Sequence, residues 1–187
     1  SNIENKKMKI LKSKKFRILF IEGTHENFDA LENFPIVEFG GSYARQIADN
    51  IFQLMRGQIY KIEGKLIFTF GGGEIPDKVD ICEGNPFFLR QMPTKEQIEN
   101  AAKELIANGS EVNYIITHEP PNQIAQLIDR DAPATDLGSF FLKLTQTVKF
   151  EKWFFGALHA DKKLVAKYFA VFDDILPIER IEKTRKF

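Results

Sequence analysis

A chain of 187 residues and 21.5 kDa, 43% hydrophobic and 28% charged, fits one globular domain and is short for two. The 26 cationic and 26 anionic side chains cancel, so no global field favours nucleic acid or an anionic membrane as a partner. The single cysteine, Cys82, excludes an internal disulfide framework, and no apolar run approaches a membrane span, so a cytoplasmic location is expected.

Residues 1–15 read as a basic leader. The stretch 6–17, KKMKILKSKKFR, carries seven basic side chains and no acid, the composition of a solvated segment or of the outer face of a helix. The chain opens Ser1-Asn2 without a methionine, which leaves open a longer natural chain. Phe16 to Ile21 is apolar throughout, the pattern of a strand buried on both faces. A short helix is expected over Asn27–Asn33, ending before Pro35. A meander follows, with strands near Ile51–Met55, Gln58–Ile62 and Lys65–Phe70 and turns at Arg56-Gly57 and Glu63-Gly64.

The spacing of Thr94 and Gln97 forms a capping box, predicting a helix from Thr94 to Asn108 that Gly109 closes. Val112–Thr117 is a buried strand, and a second helix spans Asp136 to Val148. Trp153–Phe155 and Leu164–Phe172 finish as strands. Residues 16–176 thus form one mixed α/β domain, and 177–187 a charged tail. The 18 phenylalanines and Trp153 are expected to fill the core, Cys82 to pack as a small hydrophobe, and Gly71-Gly72-Gly73 to make a tight turn, since no Gly-Lys-Ser/Thr follows.

The three histidines all fall just past predicted strands, each near glycine or proline. His25 lies beyond Ile21, His118 directly after Thr117, and His159 beyond Phe155. In open α/β sheets the carboxyl ends of strands line the ligand crevice, so parallel strands would bring the three imidazoles to one edge.

The surrounding words are Gly23-Thr24-His25-Glu26, Thr117-His118-Glu119-Pro120-Pro121 and Gly156-Ala157-Leu158-His159, in that order. Asn27-Phe28-Asp29 extends the first, and Phe70-Gly71-Gly72 and Asp77-Lys78 stand between the first and second. The ordered set resembles the later motifs of the calcineurin-like metallophosphoesterase family, GNH[DE], a strand-end TH-x-P-P, and GHxH, over roughly residues 16–172. The resemblance implies an αββα sandwich of mixed sheets, lacking the family's first strands, and a site holding two divalent cations such as manganese, iron or zinc that activate water against a phosphate ester. It implies that His25 is the catalytic histidine contacting the phosphate, and that His118 and His159 each bind one metal.

The sequence departs from that pattern at four points. Thr24 stands at an asparagine ligand position and Ala157 at a histidine ligand position, while the D-x-H and G-D-x-x-D motifs are absent. Glu26, Glu119 and Asp161 are the nearby acids that could substitute. The expectation is a chain without a full two-metal centre or autonomous catalysis, which acts by binding or assembly. The alternative is a metal-dependent phosphoesterase, cleaving phosphomonoesters, phosphodiesters or nucleotides, whose N-terminal catalytic motifs are missing here. Without the family's preceding strands, the first strand needs cover. A second copy of the chain or another polypeptide is the expected partner, with nucleic acid disfavoured and a membrane excluded.

Overall fold

A computed structural model describes residues 2–24, 26–74 and 89–178. They form a mixed α/β architecture with two mixed sheets. The smaller sheet has the order β1 (Ile18–Phe20), β4 (Ile51–Leu54), β3 (Ser42–Ala48), β2 (Ile36–Phe39). β1 and β4 run parallel and the remaining pairs antiparallel. The larger sheet has the order β5 (Gln58–Ile62), β6 (Lys65–Phe70), β7 (Tyr114–Thr117), β8 (Lys152–Phe155), β10 (Tyr168–Ala170), β9 (Lys162–Leu164). β6, β7, β8 and β10 are mutually parallel, with antiparallel strands at both edges.

Strand register sorts the side chains by face. On one face of the larger sheet, Ile59, Phe68, Ile115, Trp153 and Tyr168 fall in line. They pack against α3 (Lys95–Ala107), α4 (Asn122–Ile128) and α5 (Asp136–Thr147), which contribute Ala101, Leu105, Ile124, Leu137, Phe141 and Leu144. Aromatic rings dominate: Trp153 meets Phe141 and Phe150 edge-on at centroid distances of 5.7 and 5.4 Å, and Phe141 meets Phe70 at 5.6 Å. Such edge-to-face pairs each add roughly 0.5–1.5 kcal/mol beyond the area they bury.

A second core joins the two sheets. Leu19, Phe52, Leu54, Ala44, Val37 and Phe39 of the smaller sheet pack with Tyr60 and Ile62 of β5. Tyr60 is fully buried, and its hydroxyl donates to the Tyr43 carbonyl on β3 while accepting the Met55 N–H. Burial accordingly pushes the Tyr60 phenol far above its usual range.

Local chemistry explains the elements. Thr94 and Gln97 exchange the two bonds of the capping box at the start of α3. Glu63 (φ 49°) and Gly64 (φ 80°) both take the left-handed conformation that matches a two-residue turn to strand twist, closing the β5–β6 hairpin. The α2 helix (Phe28–Glu32) is capped by Asn27, whose side chain accepts the Ala30 N–H.

Four expectations are corrected. Phe16–Ile21 is not buried on both faces: β1 is a half-buried edge strand, and Phe16 is 62% exposed. The predicted meander is divided, because β4 belongs to the smaller sheet while β5 and β6 belong to the larger, so the chain crosses between sheets at Met55–Gly57. Leu164–Phe172 is two short strands separated by a turn at Val165 (φ 51°). The β2–β3 hairpin and α4 stand in stretches where no element was expected. The basic leader forms α1 (Asn2–Lys12), tied down by Asn50, whose amide donates to the carbonyls of Leu11, Lys14 and Phe16 at 3.1, 3.0 and 3.4 Å. No helix among the described residues is long and apolar enough to cross a membrane.

Candidate functional site

The carboxyl ends of β6, β7 and β8 lie together because parallel neighbours end at the same edge, and the loop after β1 joins them from the smaller sheet. Each contributes a loop stitched to the next by backbone bonds. Gly72 N–H donates to Glu22 O at 2.8 Å, His118 N–H to Phe70 O at 3.1 Å, and the N–H groups of Gly156 and Ala157 to His118 O at 3.1 and 3.0 Å. The glycine run is where these loops approach most closely. A Cβ at Gly71 would lie 2.5 Å from the Glu22 carboxylate, and one at Gly73 2.3 Å from that of Glu119. Close approach, as expected for a tight turn, is what requires glycine here.

His118 occupies the centre of this edge. Burial holds its imidazole below the usual range, while the Gly72 backbone, Glu22 and Glu26 pull it upward and His159 adds to the lowering. His118 and His159 are therefore within electrostatic reach of one another. Nδ1 of His118 is buried with no hydrogen-bond partner among the described residues. His159 is exposed, has φ 46°, donates its backbone N–H to Gly156 O, and lays its ring 4.8 Å from that of Phe172. His25, the residue assigned the catalytic role by resemblance, lies outside the described residues, as do Asp77, Lys78 and Cys82.

A cavity of 140 Å³ opens beside His118, and its walls include Thr24, Glu119, Thr135, Ala157 and Leu158. Thr24 and Ala157, which the resemblance sets at ligand positions, thus line the same cavity as His118. The acids nearby are already engaged. Glu26 accepts the Gly23 N–H at 3.3 Å. Asp161 accepts three backbone N–H groups, from Phe172, Asp173 and Asp174, which hold its carboxyl below the usual range and make it the anchor of the following loop. Among the described residues no three His, Cys, Asp or Glu side chains converge as a metal-binding group.

Two functional features were missed in the sequence. Glu119, in sequence only one of three nearby acids, lines the cavity, accepts the Glu74 N–H at 2.7 Å and meets the Thr135 hydroxyl at 3.3 Å. Burial, reinforced by the Glu74 carboxylate, pushes its pKa to about 7. The second is Arg56, read only as part of a turn. Its side chain is 7% exposed, and its Nε donates to Glu22 at 2.6 Å. Nη1 reaches Met92 O and Gln97 Oε1, both at 3.2 Å, and Nη2 reaches Arg90 O and Gln91 O at 3.0 and 3.1 Å. Gln53 donates to the other Glu22 oxygen at 2.9 Å. This clamp fixes the β1 end of the site.

The Glu119 environment has a pH consequence. A carboxyl whose folded pKa lies above its unfolded value keeps a proton that the unfolded chain has released, so stability falls as pH rises from about 4.5 to about 7. Glu119→Gln, a permanently neutral mimic, should match the parent near pH 4. It should exceed the parent by up to about 3 kcal/mol at pH 8, since one pKa unit is about 1.4 kcal/mol. The lowered His118 acts oppositely, losing stability as pH falls below its ordinary value, so the difference between parent and variant isolates Glu119. Urea titrations in chelator across this range are the check; equal slopes for the two proteins would refute the assignment.

No family model, curated protein or solved structure matches the chain.

Proposed function

We propose that this chain is a metallophosphoesterase-like αββα domain that lacks autonomous dinuclear catalysis and acts by binding or assembly. The observation that carries the reading is the shared wall of the His118 cavity. Threonine and alanine stand where the resembled motifs place an asparagine and a histidine ligand, and both face that cavity. A hydroxyl is a weak donor to manganese, iron or zinc, and a methyl group is none. His118 and His159 remain as residual, weak metal ligands, and His25 keeps the phosphate-contacting role that the resemblance gives it.

The reading is tested by metal analysis and turnover together. After incubation with manganese or zinc and desalting, the chain should retain well under two equivalents of metal. It should release no nitrophenol above the protein-free rate from p-nitrophenyl phosphate or its diester. Two tightly held equivalents, or metal-dependent turnover abolished by His118→Ala, would overturn it.

One observation favours the alternative, a metal-dependent phosphoesterase whose N-terminal motifs are missing from this chain. A buried imidazole nitrogen without a partner is costly, and among the described residues His118 Nδ1 has none. Metal-dependent turnover that arises only when a polypeptide bearing D-x-H and G-D-x-x-D is added would select this second reading.

A further inference from the structure

The cancelling totals of the whole chain conceal a local excess. Between residues 6 and 17 there are seven lysines and arginines and no acid. Salt screens exposed charges beyond about 8 Å, so such a block sets its own field whatever distant residues sum to. Among the described residues none of the seven is ion-paired. That includes pairing with Glu38, Asp49 and Glu63, exposed acids that share a groove with Phe16 and Arg17.

The block stands out from the body. From Asn5 to Arg17 every residue is exposed except the half-buried Met8, and α1 carries the first eight of them. Asn50 holds the end of the helix and the turn after it through the carbonyls of Leu11, Lys14 and Phe16. Apolar side chains stand among the cations: Ile10 is 51% exposed, Leu11 39% and Phe16 62%. Lys6 and Lys7 precede Ile10 and Leu11 by one helical turn, so cations and apolar groups are neighbours on the helix surface. A nucleic-acid duplex would engage the cations and leave these apolar groups in water. An anionic lipid surface engages both. Its phosphates take the ammonium groups, its acyl boundary takes the apolar side chains, and the lysine stems reach between the two.

We propose that α1 and the turn to Phe16 lie on an anionic membrane surface, with Ile10, Leu11 and Phe16 entering the boundary between headgroups and acyl chains. The helix rests on the membrane and does not cross it: eleven residues rise about 16 Å, against about 30 Å of hydrocarbon. The expectation that a membrane is excluded rested on whole-chain charge and on the want of a spanning segment. Neither bears on a helix lying flat. The proposal goes beyond the function proposed above and is independent of any metal at His118.

The test is co-sedimentation of the full chain with vesicles of phosphatidylcholine and phosphatidylglycerol in equal amounts. Partition should exceed that into phosphatidylcholine alone at least about tenfold, and should fall as salt rises. Lys6→Glu, Lys9→Glu and Lys12→Glu together should bring it down to the phosphatidylcholine level. Ile10→Ser with Leu11→Ser, which keeps every charge, should lower it at least about tenfold. All five positions are exposed, and unchanged emission from the buried Trp153 shows that the body of each variant is folded. Equal partition into the two kinds of vesicle, or partition indifferent to either variant, would overturn the proposal. So would duplex RNA that displaces the chain from the vesicles at the same salt. No arm reads turnover, so failure here is distinguishable from failure of the phosphoesterase-like reading.

Discussion

Arg56→Ala should lower the unfolding free energy by about 3–5 kcal/mol, the range for removing one partner of a buried ion pair. All five guanidinium N–H donors are used, and their acceptors come from β1's end, the 90–92 segment and α3. Truncation leaves Glu22, itself buried, with only Gln53 as a side-chain donor, and strips the 90–92 carbonyls of their partner. Arg56→Lys should recover only part of the loss, because a single ammonium cannot reproduce the planar fork. Urea unfolding followed by the emission of Trp153, the chain's one tryptophan, reads both variants. A midpoint unchanged in Arg56→Ala would show that the clamp contributes nothing.

Trp153→Ala should cost a similar amount, about 3–5 kcal/mol, through loss of buried area and the cavity left behind. The indole sits on β8 at the centre of the aromatic cluster and is fully buried. Trp153→Phe is the more informative variant. It keeps most of the packing but loses the bond from indole Nε1 to Thr117 Oγ1 at 2.8 Å. Thr117 Oγ1 in turn donates to Glu119 O at 2.6 Å, so the residue immediately before His118 is braced from the core. The expected loss is about 1–3 kcal/mol, measured by thermal unfolding followed in far-UV circular dichroism. No loss in Trp153→Phe would mean that volume alone, not the hydrogen bond, is at issue.

Short-range chemistry made much of the architecture legible. The Thr94–Gln97 box, the Glu63-Gly64 turn and the Asp136 helix depend on neighbours within a few residues, and each forms where the spacing places it. Features that depend on distant partners were hidden. Nothing in Ile51–Ile62 says that the chain changes sheets at Arg56, because the decisive contacts come from Glu22 and from 90–97. Phe16–Ile21 carries the composition of a central strand yet takes an edge, and periodicity cannot tell an absent neighbour from a present one. The α4 helix is seven residues long, with Pro121 at its N-cap and no side-chain cap, which removes the usual signal. The β2–β3 hairpin did have one: Gly40-Gly41 between Ile36–Phe39 and Ser42–Ala48.

The site divides in the same way. His118 stands at the strand end where the sequence places it, since the residue after a parallel strand is fixed by local sequence, and His159 follows four residues beyond Phe155. The raised pKa of Glu119 was not legible, because it arises from burial, with the Glu74 carboxylate adding to it, and tertiary structure alone supplies both.

The crossing at Met55–Gly57 also governs how the molecule reaches its native state. β4 completes one sheet by pairing with β1 and β3, and β5 opens the other by pairing with β6, so one short segment belongs to both nuclei. Neither sheet can reach its final register while the other holds that segment out of place. Three ladders, β1–β4, β6–β7 and β7–β8, are parallel and join strands far apart in sequence, which makes loop closure a large kinetic cost and slows folding. The two sheets should therefore appear together, in a single late step, with Arg56 closing on Glu22 only once both are in place.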